Sequence, residues 1–169
     1  GQMRARLRTA VVVLASAALL TAGAAGLRRW DIARRVAACE AAGAKIDETW
    51  NDDARLRLRD ALVATGVPYA ATTAEKTMPW LDERAEMWKQ ARTAVCQNAD
   101  VLAVWDADLL DRALWCLEDR EMELTSLIAE LGRASAPIVQ AAVIAAARLR
   151  PVDSCLDERW LQRQPASPT

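Results

Sequence analysis

Histidine and phenylalanine are absent from these 169 residues, tyrosine occurs once, and glycine and proline occur six times each. Without histidine the chain cannot form a Ser-His-Asp or Cys-His site, a histidine-ligated zinc or a histidine-held haem. The glycines are scattered, so neither the G-x-G-x-x-G turn of a dinucleotide fold nor a G-x-x-x-x-G-K-[ST] phosphate loop is present. An excess of one charge is also lacking. Lys and Arg number 22 against 23 Asp and Glu, which gives no electrostatic argument for nucleic acid as a partner.

What the chain does have is a long apolar run. From Thr9 to Leu27 the sequence TAVVVLASAALLTAGAAGL is uncharged over 19 residues, with Arg4, Arg6 and Arg8 before it and Arg28 and Arg29 after it. As a helix rising about 1.5 Å per residue, it can cross a hydrocarbon core of about 30 Å. A cleaved signal peptide ending at AGA (22–24) and a buried soluble helix are the competing readings. The run exceeds the roughly 7–15 residues of a signal core and basic residues close both ends, which favours a membrane anchor and makes the lipid bilayer a partner. Four Arg (28, 29, 34 and 35) follow the span closely against three before it, so the positive-inside bias does not set the orientation. Gly1 and Gln2 ahead of Met3 point to a longer parent chain. The expected organisation is a basic flank (1–8), a transmembrane helix (9–27), an extracytoplasmic α-helical domain (28–162) and a linker (163–169).

Beyond Leu27 the apolar residues recur with a period near 3.6 and no strand alternation is evident. The expected fold is all-α: the N-terminal transmembrane helix followed by a disulfide-stapled antiparallel helical bundle. The first segment places Ile32, Val36, Cys39, Ile46 and Trp50 near one stripe, with Gly43 as a weak point. Asn51 should cap a second helix that carries Asp52 and Asp53 in its first turn and ends at Gly66. Thr72 and Glu75 fit a capping box for a third, which Pro79 should kink or restart with Thr77 as the new cap. A fourth starts near Asp106 or Asp108 and runs to Leu131, with Gly132 as a left-handed terminator. Ser135 and Pro137 open a fifth, stopped by Pro151, and a sixth lies around Leu156–Gln162. The unequal helix lengths do not fit the 34-residue period of tetratricopeptide repeats. With no Phe in the chain, the seven tryptophans are expected mostly to fill core positions. Trp30 is alternatively an interfacial anchor.

Cys39, Cys96, Cys116 and Cys155 are even in number, widely spaced and without a C-x-x-C pair, which argues against a four-cysteine zinc site. Buried thiols are the plain alternative. Their setting beside charges and helix ends, after a membrane span, favours disulfides on an oxidising side. Three connectivities are possible. Consecutive antiparallel third and fourth helices should bring Cys96 to Cys116 and leave Cys39 for Cys155. The charged runs each have a simple explanation: Asp106, Asp108 and Asp111 as caps, EDREMEL (118–124) as an exposed face, and RLRLR (55–59) as helix surface rather than a lipid-phosphate site. No residue is assigned a catalytic, cofactor-binding or metal-ligating role.

The segments LRDALVATGVPYA, LDERAEMWKQARTAVC, LLDRALWCLEDREMEL and RLRPVDSC together resemble the juxtamembrane extracytoplasmic segment of bacterial transmembrane serine/threonine protein kinases, which precedes C-terminal tetratricopeptide repeats. The resemblance spans nearly the whole chain. It places Cys39, Trp88, Arg92, Cys96, Arg112, Cys116, Leu117, Arg120 and Cys155 at framework positions, and the apolar loop VLAVW (101–105) departs from the family. It implies a single-pass protein of a bacterial inner membrane with residues 28–169 periplasmic. ATP and Mg would belong only to an upstream kinase domain, since H-R-D and D-F-G cannot be written without His and Phe. The expected function is a non-catalytic anchor and linker or sensor for such a kinase, with a protein partner or self-association and with no small-molecule ligand identified. A freestanding membrane-anchored or secreted helical binding module is the alternative.

Overall fold

The structure, a computed structural model, describes the backbone over residues 2–165 and side chains over residues 23–165. It is helical, with no strand among the described residues. Two compact units divide the chain, residues 1–37 and 38–169.

The first unit is the greater part of α1 (Gln2–Ala44). Most of the Thr9–Leu27 run lies outside the residues whose side chains are described, and among the described residues no helix is long and apolar enough to cross a membrane. Past the run, Trp30 is 61% exposed and Arg34 lies over its ring at 5.5 Å from the centroid. Arg35 reaches back one turn to Asp31 at 2.9 Å.

The second unit begins with the last turns of α1 and a 3-10 turn, Lys45–Glu48. Asn51 then caps α2 (Asp52–Ala64) by accepting the Ala54 amide at 3.0 Å, as its position before two aspartates predicts. Gly66, at φ +73°, takes the left-handed turn that ends this segment. The next helix, α3, runs unbroken from Ala70 to Cys96 through Pro79. It therefore neither restarts at Thr77 nor uses Thr72 as cap. Pro79 removes one helical bond, but Pro79 and Glu75, whose carbonyl it frees, both lie on an exposed side of the helix, where solvent is at hand for that carbonyl. The buried Thr77 instead bonds back to the Thr73 carbonyl at 2.8 Å.

A π-helical turn, Gln97–Val101, carries α3 into a loop whose Ala103 sits at φ 53°. Asp106 caps α4 (Ala107–Gly132) through the Leu109 amide at 2.8 Å. Gly132 is the last helical residue and not a left-handed terminator, since Gly66 is the glycine with positive φ among the described residues. After α5 (Ala136–Ala147) and a 3-10 turn (Asp153–Leu156), Asp157 caps the short α6 (Glu158–Arg163).

At the centre, α3 packs against α2, α4 and α5. Its buried Ala70, Ala74, Ala85 and Ala91 and the buried Ala142 and Ala146 of α5 are small enough for close helix approach. Leu62, Leu81, Leu117, Leu124 and Leu161 fill the interior, each contributing about 1.5–3 kcal/mol by leaving water. Only Trp50, Trp88 and Trp105 of the seven tryptophans are buried. Each donates its indole N–H: to Asp82 at 2.7 Å, to the Leu117 carbonyl at 2.8 Å and to Glu158 at 2.8 Å. The expectation that most would be core residues is corrected on that point: an indole needs an acceptor when buried, and three positions supply one.

Candidate functional site

All four cysteines are bridged, but as Cys39–Cys96 and Cys116–Cys155, with Cα separations of 5.4 and 5.5 Å. The pairing of Cys96 with Cys116 and Cys39 with Cys155 is thus overturned. The reason is register. The Trp88 indole meets the Leu117 carbonyl, so Cys116 is level with Trp88 across the α3–α4 pair. Cys96 lies two turns further along, roughly 12 Å at 1.5 Å per residue, well beyond the Cα span of about 7 Å that a disulfide tolerates.

Around Cys116–Cys155 the C-terminal segment is bound to α4 by three arginines. Arg120 is 7% exposed, donates from Nε to the Pro151 carbonyl at 3.2 Å and pairs with Asp119 at 2.5 Å. Arg150 reaches the same Asp119 at 2.8 Å and Glu123 at 3.0 Å, and Arg112 pairs with Asp108 and donates to the Gln164 carbonyl. The three arginines and Asp119, with Trp115 and Trp160, line a cleft of about 150 Å³. EDREMEL is therefore not simply an exposed face: Asp119, Arg120 and Glu123 are the cross-link between α4 and the segment after α5. An arginine in a charged run gives no sequence signal that it is buried, and Arg150 carries none that it bonds α4.

Around Cys39–Cys96 the arrangement differs. A Cβ on Gly43 would come within 2.5 Å of the Lys89 carbonyl oxygen and closer still to Thr93 Oγ1, so glycine is required where the end of α1 crosses α3. The α-helix gives way to the 3-10 turn one residue past Gly43, and the glycine is also a point of close helix approach. Lys89 pairs with Asp47 at 2.7 Å and holds the 3-10 turn to α3. Beside this crossing lies a second cleft of about 210 Å³, lined by Lys45, Arg92, Glu118 and Glu121 over a floor of Trp88 and Leu117. Burial first, and Glu118 second, push the Glu121 carboxyl above its ordinary value, against the opposing pull of Lys45 and Arg92.

The framework residues therefore separate. Trp88, Leu117, Arg112, Arg120 and the four cysteines join one segment to another, whereas Arg92 faces a cleft. Asp106 is a cap and Asp108 an ion-pair partner. In RLRLR, Arg55 bonds Asp82 and Asp52 at 2.6 Å each and lies over Trp50, while Leu56 is exposed and Leu58 buried, as alternate positions of a helix require. In the loop VLAVW, Leu102 and Val104 are exposed and Trp105 is buried. Cys39, Cys96 and Asp100 bring metal-ligating residue types together, but both sulfurs are in the bridge and offer no thiolate while oxidised. No protein family, no curated protein and no solved structure matches the chain.

Proposed function

We propose that this chain is the membrane anchor and extracytoplasmic helical linker or sensor of a receptor-type bacterial serine/threonine protein kinase whose catalytic domain lies outside these residues. The run Thr9–Leu27 spans the inner membrane once, and residues 28–169 are periplasmic. The observation that carries this reading is the Cys39–Cys96 bridge, which fixes the end of α1 covalently to α3. Two bridges in one small domain favour an oxidising compartment. A helix that leaves the bilayer and is locked to a folded body is a direct mechanical link between a binding event outside and the apposition of kinase domains inside. For that link to signal, the partner, whether a protein or a second copy, must bind two states of the body unequally.

Thiol labelling of intact spheroplasts with a membrane-impermeant reagent tests the compartment. The expected result is labelling of all four cysteines from outside, only after reduction. Free thiols that react only after lysis would place the domain in the cytoplasm and remove the reading. The coding frame upstream tests the kinase: H-R-D and D-F-G in continuous frame support it. A start at Met3 with a stop after Thr169 leaves a freestanding anchored or secreted binding module instead.

A further inference from the structure

Two of the clefts beside α4 treat charge in opposite ways. In the one near Cys116 every arginine is bonded to a carboxylate or carbonyl of the fold. In the one near Cys39–Cys96, Lys45, Arg92, Glu118 and Glu121 face the same cleft of about 210 Å³, and among the described residues no ion pair within 4 Å and no side-chain hydrogen bond engages any of the four. Two cations and two anions thus share one concavity without pairing directly, although Lys45 and Arg92 still draw the Glu121 carboxyl down.

We propose that this cleft binds a small zwitterion, an α-amino acid or short peptide, with Arg92 and Lys45 taking its carboxylate and Glu118 and Glu121 its ammonium. The charge pattern selects this chemistry. A simple anion would meet the two glutamates, and a metal cation would meet the arginine and the lysine; a molecule carrying both charges satisfies both pairs and adds no net charge. Arg92 supplies the planar fork that suits a carboxylate. The floor is apolar and donates nothing, because the Trp88 indole N–H is already taken by the Leu117 carbonyl at 2.8 Å. It offers apolar surface to a side chain. The volume is below the roughly 300–1,000 Å³ of drug-sized sites, which limits the ligand to a few residues at most. Burial is the main cause of the raised Glu121 carboxyl and Glu118 the second, and an ammonium between the two glutamates offsets both.

The site deepens the sensor reading and rests on it for its consequence. Lys45 follows the end of α1 directly, and Arg92 lies one turn before Cys96, so an occupant would draw the two sides of the Cys39–Cys96 clasp together.

The test is isothermal titration of the oxidised full chain in detergent with the twenty standard amino acids, D-alanine and dialanine. At least one should bind with micromolar to millimolar affinity, and its N-acetyl and amide derivatives should each bind at least tenfold more weakly. Arg92→Ala and Glu118→Gln should each weaken binding at least tenfold, with both disulfides intact by mass and helicity unchanged. Arg150→Ala, in the other cleft, should leave affinity unaltered. No binding by any member of the panel, or equal binding by the blocked derivatives, overturns the proposal. Binding together with cytoplasmic labelling would keep the site and remove the periplasmic sensor, and the converse pair would do the reverse, so the two failures are distinguishable.

Discussion

Two corners of the same α-helical body, each closed by one disulfide, are built on different principles. At Cys116–Cys155 the cross-link is redundant: the bridge, Arg120 to the Pro151 carbonyl, Arg150 to Asp119 and Glu123, and Arg112 to the Gln164 carbonyl all join α4 to the C-terminal segment. At Cys39–Cys96 the end of α1 is held by the bridge, the glycine crossing at Gly43 and the Lys89–Asp47 pair, while four further charges stay unengaged. Redundant bonding suits a part that must not move. A bridge supported by one ion pair beside a cleft of unpaired charges suits a part that transmits.

The contrast predicts a graded series of effects. Cys116→Ser should be the most damaging: its loop of 39 residues corresponds to about 4 kcal/mol on the chain-entropy argument, and both sulfurs are buried in the core, so global unfolding in urea should shift by about 3–5 kcal/mol. Cys39→Ser opens a longer loop, of 57 residues, yet should cost the global transition less. Its effect should appear in hydrogen exchange as local opening of residues 38–48, because that segment can detach while the rest stays folded. Equal loss of global stability in both variants would erase the distinction.

Arg120→Ala comes next, at about 1.5–3 kcal/mol in the same urea titration, since it removes a buried guanidinium together with its bonds to the Pro151 carbonyl and to Asp119. Gly43→Ala should cost about 1–3 kcal/mol, because the new Cβ meets the Lys89 backbone carbonyl, which cannot swing aside, as well as the Thr93 hydroxyl. The loss should again be read in the exchange of residues 38–48. Protection unchanged there would show that the crossing is looser than its geometry implies.

The smallest effect concerns pH. The folded Glu121 carboxyl titrates above its ordinary value, so the protonated form is favoured by folding. That contribution is complete below the ordinary glutamate range and disappears as pH rises through the raised folded value. Glu121→Gln should therefore raise the melting temperature slightly at pH 7 and leave it unchanged near pH 4. The same substitution should weaken zwitterion binding, trading function for stability. A melting temperature lowered at pH 7 would show that burial in the cleft does not destabilise the Glu121 carboxylate.

Much of this architecture is written locally. Asn51 and Asp106 cap the helices their neighbourhoods announce, and the 3.6 period marks α2, α4 and α5 without tertiary help. Where the reading failed, the deciding quantity was not local. Pro79 is tolerated because its side of α3 faces water, which the flanking residues do not reveal. The cysteine pairing depends on the vertical register of α3 against α4, fixed by the contact of Trp88 with Leu117, two residues 29 apart in sequence. Arg120 resembles any arginine in a charged run until the Pro151 carbonyl is brought beside it. The charged cleft was invisible for the same reason: Lys45, Arg92, Glu118 and Glu121 come from three separate segments and carry no shared motif.

The most direct single measurement is non-reducing peptide mapping of the full chain extracted from membranes under thiol block. The clasp account predicts two linked species, one joining the peptides that hold Cys39 and Cys96 and one joining those that hold Cys116 and Cys155. Recovery of Cys39 with Cys155 and Cys96 with Cys116, or of four blocked free thiols, would contradict it, because the end of α1 would then not be tied to α3.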